Sequence, residues 1–101
     1  MATSPLEVRQ ALAQQVRVTK DTLTVDLVDG RSVSVPVAWY PRLAHGTPAE
    51  QANWELIGRG HGIHWPQLDE DISVEGLLSG HGSSETQASL QRWLKSRKAA
   101  G

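Results

Sequence analysis

Two histidines and two aspartates are the side chains of this sequence whose types and spacing suit chemistry. His61 and His64 lie three residues apart in the run GHGIHW (60–65), and Asp69 and Asp71 follow them. On a helix or a bent loop, imidazoles at this spacing would chelate one metal ion, and an aspartate would add a ligand. His64 with either aspartate would also form an acid–base pair. A metal-assisted hydrolase at these four residues is therefore one hypothesis.

The competing interpretation is a glycine-rich turn with exposed or hydrogen-bonded imidazoles. On a regular strand, His61 and His64 would point to opposite faces and would not share an ion. The chain has no Cys, which excludes disulfides, thiolate metal sites and thiol catalysis. No serine lies in a nucleophile-elbow motif, and residues 58–62 lack the Lys and Ser/Thr of a phosphate-binding loop. We therefore expect no enzymatic activity, no metal and no cofactor.

Separated charges are the second feature that bears on function. The formal net charge is only -1, so no global field draws the chain to nucleic acid or membrane. That total conceals an acidic stretch and a basic C-terminal tail. Charges of these signs also favour the starts and the ends of helices, which is the simpler interpretation. The acidic stretch is Asp69, Glu70, Asp71 and Glu75, and the basic tail is Arg92, Lys95, Arg97 and Lys98.

Tryptophan supplies most of the aromatic surface, with 4 Trp against no Phe. Trp54 and Trp65 alternate with polar neighbours, which favours the core. For Trp39 and Trp93, the sequence does not decide between a place in the core and a place in an exposed binding surface. Trp93 either docks on the domain or forms a contact with a partner or a second copy.

The elements that position these residues are predicted from periodicity and turn signals. The length of 101 residues indicates one domain. The run SPLE (4–7) is a capping box that predicts an N-terminal helix over 5–14. Period-two alternation over 16–36 predicts a three-stranded antiparallel meander. Apolar pairing favours a two-residue turn at 20–21 and a three-residue loop at 28–30, with Gly30 left-handed.

The second half of the chain predicts short helices, a hairpin and a last helix. A short helix is expected at 39–43, and the capping box from Thr47 to Glu50 predicts another that ends near Asn53. Alternation on both sides of 58–62 predicts a second hairpin. The acids at 69–71 precede a predicted helix over 72–78. A C-terminal helix is expected over 84–98.

Four segments resemble one small bacterial family, the domain of unknown function 2442. They are VDLVDG (25–30), WYPRL (39–43), GIHWP (62–66) and LDEDISVEGLL (68–78), and the resemblance covers 16–80. It implies a small α+β fold with an antiparallel sheet and short helices, and no established catalysis. Genes for such domains often lie beside a toxin-like partner, which implies an antitoxin-like or accessory role. Some relatives carry an added helix-turn-helix domain, whereas the tail here fits one helix only.

The sequence thus predicts a single α+β domain that acts as a non-catalytic binding or regulatory module in the cytoplasm, with a protein partner or self-association. An acidic surface would suit a basic, RNA-acting toxin. Nucleic-acid binding by the basic tail is the alternative. No apolar run approaches the roughly 20 residues that span a bilayer, so no membrane role is expected. The candidate partner surface comprises Trp65, Asp69, Glu70, Asp71, Glu75, Trp93 and Arg97.

Overall fold

Two three-stranded antiparallel sheets form the centre of the computed structural model, which describes residues 11–100 and the side chains of 11–98. The α+β prediction is confirmed, with a second sheet that is larger than the expected hairpin. Strands are adjacent in chain order within each sheet. The first sheet contains β1 (Ala13–Val18), β2 (Thr22–Leu27) and β3 (Ser32–Pro36), and the second contains β4 (Glu55–Ile57), β5 (Gly62–Trp65) and β6 (Glu70–Ser73).

The meander has the predicted register. Val18 lies opposite Leu23, and Val25 lies opposite Val33. Gly30 adopts a φ of 95°, and its N–H donates to the carbonyl oxygen of Leu27 at 3.1 Å. The three-residue loop is therefore confirmed, because this register keeps one face of the sheet apolar.

The predicted N-terminal helix over 5–14 lies mainly outside the described residues. Its four described positions are wrong, since residues 11 and 12 have no regular secondary structure and Ala13 and Gln14 belong to β1. The ladder with β2 continues as far as Ala13, which pairs with Leu27. Backbone pairing with an existing strand therefore extends β1 beyond the alternation that predicts it.

Two short helices connect the sheets, as predicted. A 3₁₀ turn (Val37–Trp39) precedes α1 (Pro41–Ala44), and α2 (Pro48–Ala52) follows. The capping box that opens α2 is present: the Glu50 N–H donates to the Thr47 hydroxyl at 3.1 Å, and the Thr47 N–H donates to the Glu50 carboxylate at 2.9 Å.

The third strand of the second sheet corrects the helix predicted over 72–78. Residues 70–73 pair with β5 as β6, and the helix α3 occupies only Val74–Leu78. Ser73 caps α3 by accepting a hydrogen bond from the Gly76 N–H at 2.9 Å. Ile72 is buried between exposed neighbours, as expected for a strand. The run of four residues is too short for its sequence pattern to distinguish a strand from a helix.

The last helix, α4 (Gln87–Ala100), begins later than the predicted residue 84. The Thr86 hydroxyl accepts the Ser89 N–H at 3.1 Å, so Thr86 provides the cap that was expected from Ser84. Within the described residues, no helix is both long and apolar enough to cross a membrane.

One hydrophobic cluster joins both sheets and the short helices. Trp65, Leu23, Leu43, Ile63 and Leu68 have no exposed surface. Residues from every strand except β4 contribute to this cluster, so neither sheet has a core of its own. The cluster comprises Ala11, Ala13, Val16, Leu23, Val25, Leu27, Val35, Val37, Tyr40, Leu43, Ile63, Trp65, Leu68, Ile72, Val74 and Leu77.

Gly60 brings the β4–β5 connection against the start of β1. Its φ is 97°, and a Cβ at this position would lie 2.9 Å from the carbonyl oxygen of Ala13. Gly30 has a similar φ of 95°, but a Cβ there would meet nothing within 4 Å. The two glycines therefore share a backbone conformation and differ in their surroundings.

We expect Gly60→Ala to destabilise the protein more than Gly30→Ala. Both substitutions force alanine into left-handed backbone, which costs about 1–2 kcal/mol. Only Gly60→Ala adds a collision with backbone that cannot move independently. Urea unfolding of both variants measures the difference, and equal losses would show that Gly60 does not hold the two sheets together.

Candidate binding surface

Trp65 is not part of any surface, so its place among the predicted contact residues is wrong. Its side chain has no exposed area, and its indole N–H donates to the carbonyl oxygen of Gln51 at 3.0 Å. The alternation of Trp65 with polar neighbours predicted this core position. Trp54, the other expected core tryptophan, is half-buried and packs against the core cluster.

Trp93 docks the C-terminal helix onto the domain. Two guanidinium groups lie over its half-buried ring, with the Arg42 Cζ atom 5.1 Å and the Arg97 Cζ atom 4.7 Å from the ring centroid. Such stacking is a favourable cation–π arrangement. Of the two alternatives that the sequence leaves open for Trp93, docking on the domain is the one observed.

Two ion pairs hold the same guanidinium groups. Arg97 donates to the two Glu50 carboxylate oxygens at 2.7 and 3.0 Å. Arg42 donates to Glu85 at 2.6 and 2.8 Å. The Arg97 bonds, with the Thr47 N–H, lower the pKa of Glu50 to about 2. Arg97 therefore contributes to helix docking through both the ion pair and the stack.

The rest of the basic tail faces solvent. Arg92, Lys95 and Lys98 are exposed on α4, whereas Arg97 is held by Glu50. Three of the four predicted bases are thus available to a partner.

The acidic stretch divides between two sides of β6. Strand alternation places Glu70 on the same side as the buried Ile72, and Glu70 is partly buried. Asp71 points to the opposite, exposed side, where its carboxylate hydrogen-bonds the Nδ1 atom of His64.

Asp69 is 86% exposed and lies 3.4 Å from the Arg42 guanidinium. Glu75 is exposed in the first turn of α3. These acids do not form a single flat surface.

A pocket of about 210 Å³ lies between β6 and the loop that precedes α4. Tyr40 forms part of its wall, and the Tyr40 hydroxyl donates to the carbonyl oxygen of His81 at 2.9 Å. The Ser83 N–H donates to the carbonyl oxygen of Trp39 at 2.9 Å, which holds the loop in place. The lining residues are Tyr40, Glu70, Asp71, Ile72, Ser73, Gly76, His81, Gly82, Ser83 and Ser84.

Glu70 is the carboxylate that the pocket removes furthest from water. Burial raises the pKa of Glu70 to about 7, against the lowering effect of the Arg42 charge. The carboxylates of Glu85 and Asp71 raise this pKa further. Burial also raises the pKa of Tyr40, and the Glu70 charge adds to the rise. The pocket is therefore an acidic, partly desolvated site.

The four residues of the hydrolase hypothesis are only partly brought together. His64 contacts Asp71, but Asp69 turns to Arg42, and His61 lies in the turn before β5. The cross-strand row instead aligns Glu55, His64 and Asp71 on one face of the second sheet. Across residues 11–98, no three His, Asp or Glu side chains are grouped closely enough to hold a metal ion.

Sequence reasoning missed Tyr40, Arg42 and Glu85, which form the walls of this region. Tyr40 and Arg42 lie in the family-like segment WYPRL. The resemblance draws attention to this segment but does not indicate that these two side chains contact the pocket. Glu85 is 43 residues from Arg42, and no local pattern signals a contact over that distance.

Comparisons with known proteins find similarity to proteins of unknown function. The family described as "Protein of unknown function (DUF2442)" matches residues 13–83. The comparison with curated proteins gives no match.

Two solved structures are similar to this chain. One is a crystal structure of a protein of unknown function from Rhodospirillum rubrum, with 28% identity and a TM-score of 0.65, over 80% of this chain and 98% of that one. The other is a solution NMR structure of an uncharacterized protein from Chromobacterium violaceum, with 20% identity and a TM-score of 0.66. It covers 95% of this chain and 84% of that one, and it supports the fold alone.

We expect Arg97→Ala to destabilise the docked helix while Arg92→Ala does not. Arg97→Ala removes two charge-assisted hydrogen bonds and half of the stack on Trp93, for a loss of about 1–3 kcal/mol. Arg92 is exposed, so its removal is worth at most about 0.5 kcal/mol. Chemical denaturation followed by tryptophan fluorescence measures both. Equal effects of the two substitutions would contradict docking through Arg97.

We expect Glu70→Gln to stabilise the protein at about pH 8 but not at about pH 4.5. The pKa of Glu70 rises from 4.5 to about 7 on folding. Between these values the unfolded chain loses its proton first, so stability falls as pH rises. Glutamine mimics the protonated acid and removes this loss, which amounts to about 1–3 kcal/mol.

Thermal unfolding of Glu70→Gln at both pH values measures the change. Glu75→Gln, which removes one exposed charge, is the control. A gain for Glu70→Gln that is the same at both pH values would rule out burial of an ionised carboxylate as its cause.

Proposed function

The chain belongs to the DUF2442 family, and from that premise we propose that it is a non-catalytic, cytoplasmic module that binds a basic partner protein. The contact is the β6 surface, defined as the pocket beside β6 and the acids Asp69, Glu70, Asp71 and Glu75. The observation that carries this proposal is the pair of carboxylates, Glu70 and Asp71, that line an open pocket.

The charge balance of the β6 surface favours a cationic partner. Among the described residues, Arg42 is the guanidinium that faces these acids, and Glu85 already neutralises it at 2.6 Å. Asp71 and Asp69 have side chains that are 68% and 86% exposed, although His64 lies beside the first and Arg42 beside the second. Their negative potential therefore reaches solvent, where it would attract and orient a positively charged surface.

The partner we propose is a toxin-like protein encoded beside this chain's gene, which would make the chain antitoxin-like or accessory. Two features support it: the family to which the chain belongs and the sign of the β6 surface. A protein that acts on RNA needs basic residues to contact phosphates. A carboxylate-rich surface can cover such residues and compete with the RNA.

Binding is tested with the protein that the adjacent gene encodes, co-expressed and analysed by size-exclusion chromatography and calorimetry. We expect one complex at micromolar concentration. Asp69→Asn with Glu75→Gln should weaken it about tenfold, which corresponds to about 1.4 kcal/mol, and added salt should weaken it further. Asparagine suits residue 69 because its φ is 50°.

The matched control is Asp21→Asn with Asp29→Asn, which removes the same charge from two exposed turns of the first sheet. Equal weakening by the two double variants would locate the contact elsewhere. Separate elution of the two proteins would refute a complex with this partner.

Nucleic-acid binding is the second candidate, because Arg92, Lys95 and Lys98 are exposed on α4. It is distinguished by a gel-shift assay with labelled RNA and duplex DNA at low salt. A shift that disappears when these three residues become alanine would favour this function over the first. Arg97 is left intact because it docks the helix.

Self-association is a further alternative, through an edge of the second sheet. β4 is an edge strand, and Leu56 and Ile57 are 39% and 41% exposed. Unpaired strand edges favour association with another chain. A dimer of the isolated protein in the same chromatography, broken by charged substitutions at Leu56, would support this alternative.

A further inference from the structure

We propose that the pocket beside β6 binds the guanidinium group of one arginine side chain that the partner presents. This inference rests on the proposed function and deepens it, because it names the chemical group that the β6 surface takes. The pocket walls are Glu70 and Ser73 on one side and Ser83 and Ser84 on the other, with Tyr40 between them.

The size of the pocket suits a single side chain. Its volume is about 210 Å³, which is below the roughly 300–1,000 Å³ of pockets for drug-sized ligands. It is open on one side, so a side chain can enter while its backbone stays outside. A long, unbranched residue with a polar end fits this shape.

Glu70 provides the charge that such a residue would meet above about pH 7, where its carboxylate is mainly ionised. The guanidinium of Arg42, which faces Glu70, is occupied by three hydrogen bonds to Glu85. The Asp71 backbone N–H hydrogen-bonds the Glu70 carboxylate, and Arg42 acts on it through its charge. Within residues 11–98, no side chain donates a hydrogen bond to this carboxylate. An incoming cation would therefore gain a carboxylate that lacks a side-chain partner.

Several other polar groups of the pocket can accept hydrogen bonds, and a planar guanidinium can reach more of them at once than an ammonium group. The Tyr40 proton is given to His81, so the Tyr40 oxygen offers its lone pairs to the pocket. The Ser73 hydroxyl already accepts the Gly76 N–H and keeps a second lone pair. A guanidinium has five donors in a fixed plane and is more weakly hydrated than an ammonium group. It can therefore reach several acceptors and loses less on partial desolvation.

The neighbouring Arg42 illustrates the same chemistry within this chain. Its side chain is 17% exposed, and its planar fork bonds both oxygens of Glu85, which is 10% exposed. Carboxylate and guanidinium thus pair in this region with little water around them. The Glu70 pocket lies beside that pair. Ser83 and Ser84 line this pocket and also the adjacent depression that contains Arg42 and Glu85.

The test uses the full chain and three small probes: N-acetyl-arginine amide, its lysine counterpart, and its citrulline counterpart, a neutral isostere of arginine. Backbone amide shifts in heteronuclear NMR report binding. We expect the arginine probe to shift the amides of residues 70–73 and 81–84. The citrulline probe should bind at least about tenfold more weakly, since it lacks the charge. The lysine probe should also bind more weakly than arginine.

Glu70→Gln should weaken binding of the arginine probe at least about tenfold, whereas Asp21→Asn, at an exposed turn residue of the first sheet, should leave that binding nearly unchanged. Glu70→Gln is expected to fold, because glutamine resembles the protonated acid. Equal binding of arginine and citrulline, or of arginine and lysine, would overturn the proposal. Unchanged binding by the Glu70→Gln variant would also overturn it.

The same variants separate this inference from the proposed function. If the adjacent-gene product binds the native chain and Glu70→Gln equally well, the arginine pocket is wrong and the basic partner stands. If that protein does not bind but the arginine probe does so through Glu70, the pocket stands and the partner is wrong.

Discussion

The Arg42 guanidinium is the group on which both the docked helix and the pocket depend. One face of it stacks on Trp93 at 5.1 Å, and its edge donates to Glu85 at 2.6 Å. Its charge also lowers the pKa of Glu70 against the effect of burial. A single side chain of α1 thus connects the loop before α4, the helix itself and the carboxylate of the pocket. Lysine would not substitute for it, because an ammonium group lacks the planar fork and the stacking face.

The electrostatics around Arg42 explain why Glu70 differs from the other acids. Glu85 carries the same charge as Glu70 and also lies beside Arg42. The pKa of Glu85 is nevertheless lowered, because Arg42 donates hydrogen bonds to it directly. Arg42 acts on Glu70 only through space, and Glu85 has largely neutralised that guanidinium, so the Asp71 backbone N–H is the remaining group that favours the charged form of Glu70. Burial therefore dominates at Glu70, and the two carboxylates beside one arginine shift in opposite directions. This asymmetry leaves an acid in the pocket that is available for another cation.

Most of the fold follows from the local sequence, and the parts that do not are set by distant partners. The meander register follows from apolar pairing, and the Thr47 capping box is correct to the residue. The sequence of β6 predicts the start of a helix instead, because the acids at 69–71 precede an apolar run and acids favour a helix N-terminus. Pairing with β5 decides in favour of a strand, and a four-residue run has too few positions to distinguish the two periods. The acidic stretch was identified, but its division between two sides of β6 follows only from that strand.

The C-terminal helix shows where the boundary between family core and addition lies in physical terms. The family match ends at residue 83, and α4 begins at Gln87. Glu85 lies between them and is bound to Arg42, which belongs to the core. The loop of residues 81–84, which forms one wall of the pocket, is therefore fixed at one end by Tyr40 and at the other by this ion pair. Loss of the Arg42–Glu85 pair would free that wall and the start of α4 together, so the shape of the pocket depends on a contact made just outside the family match.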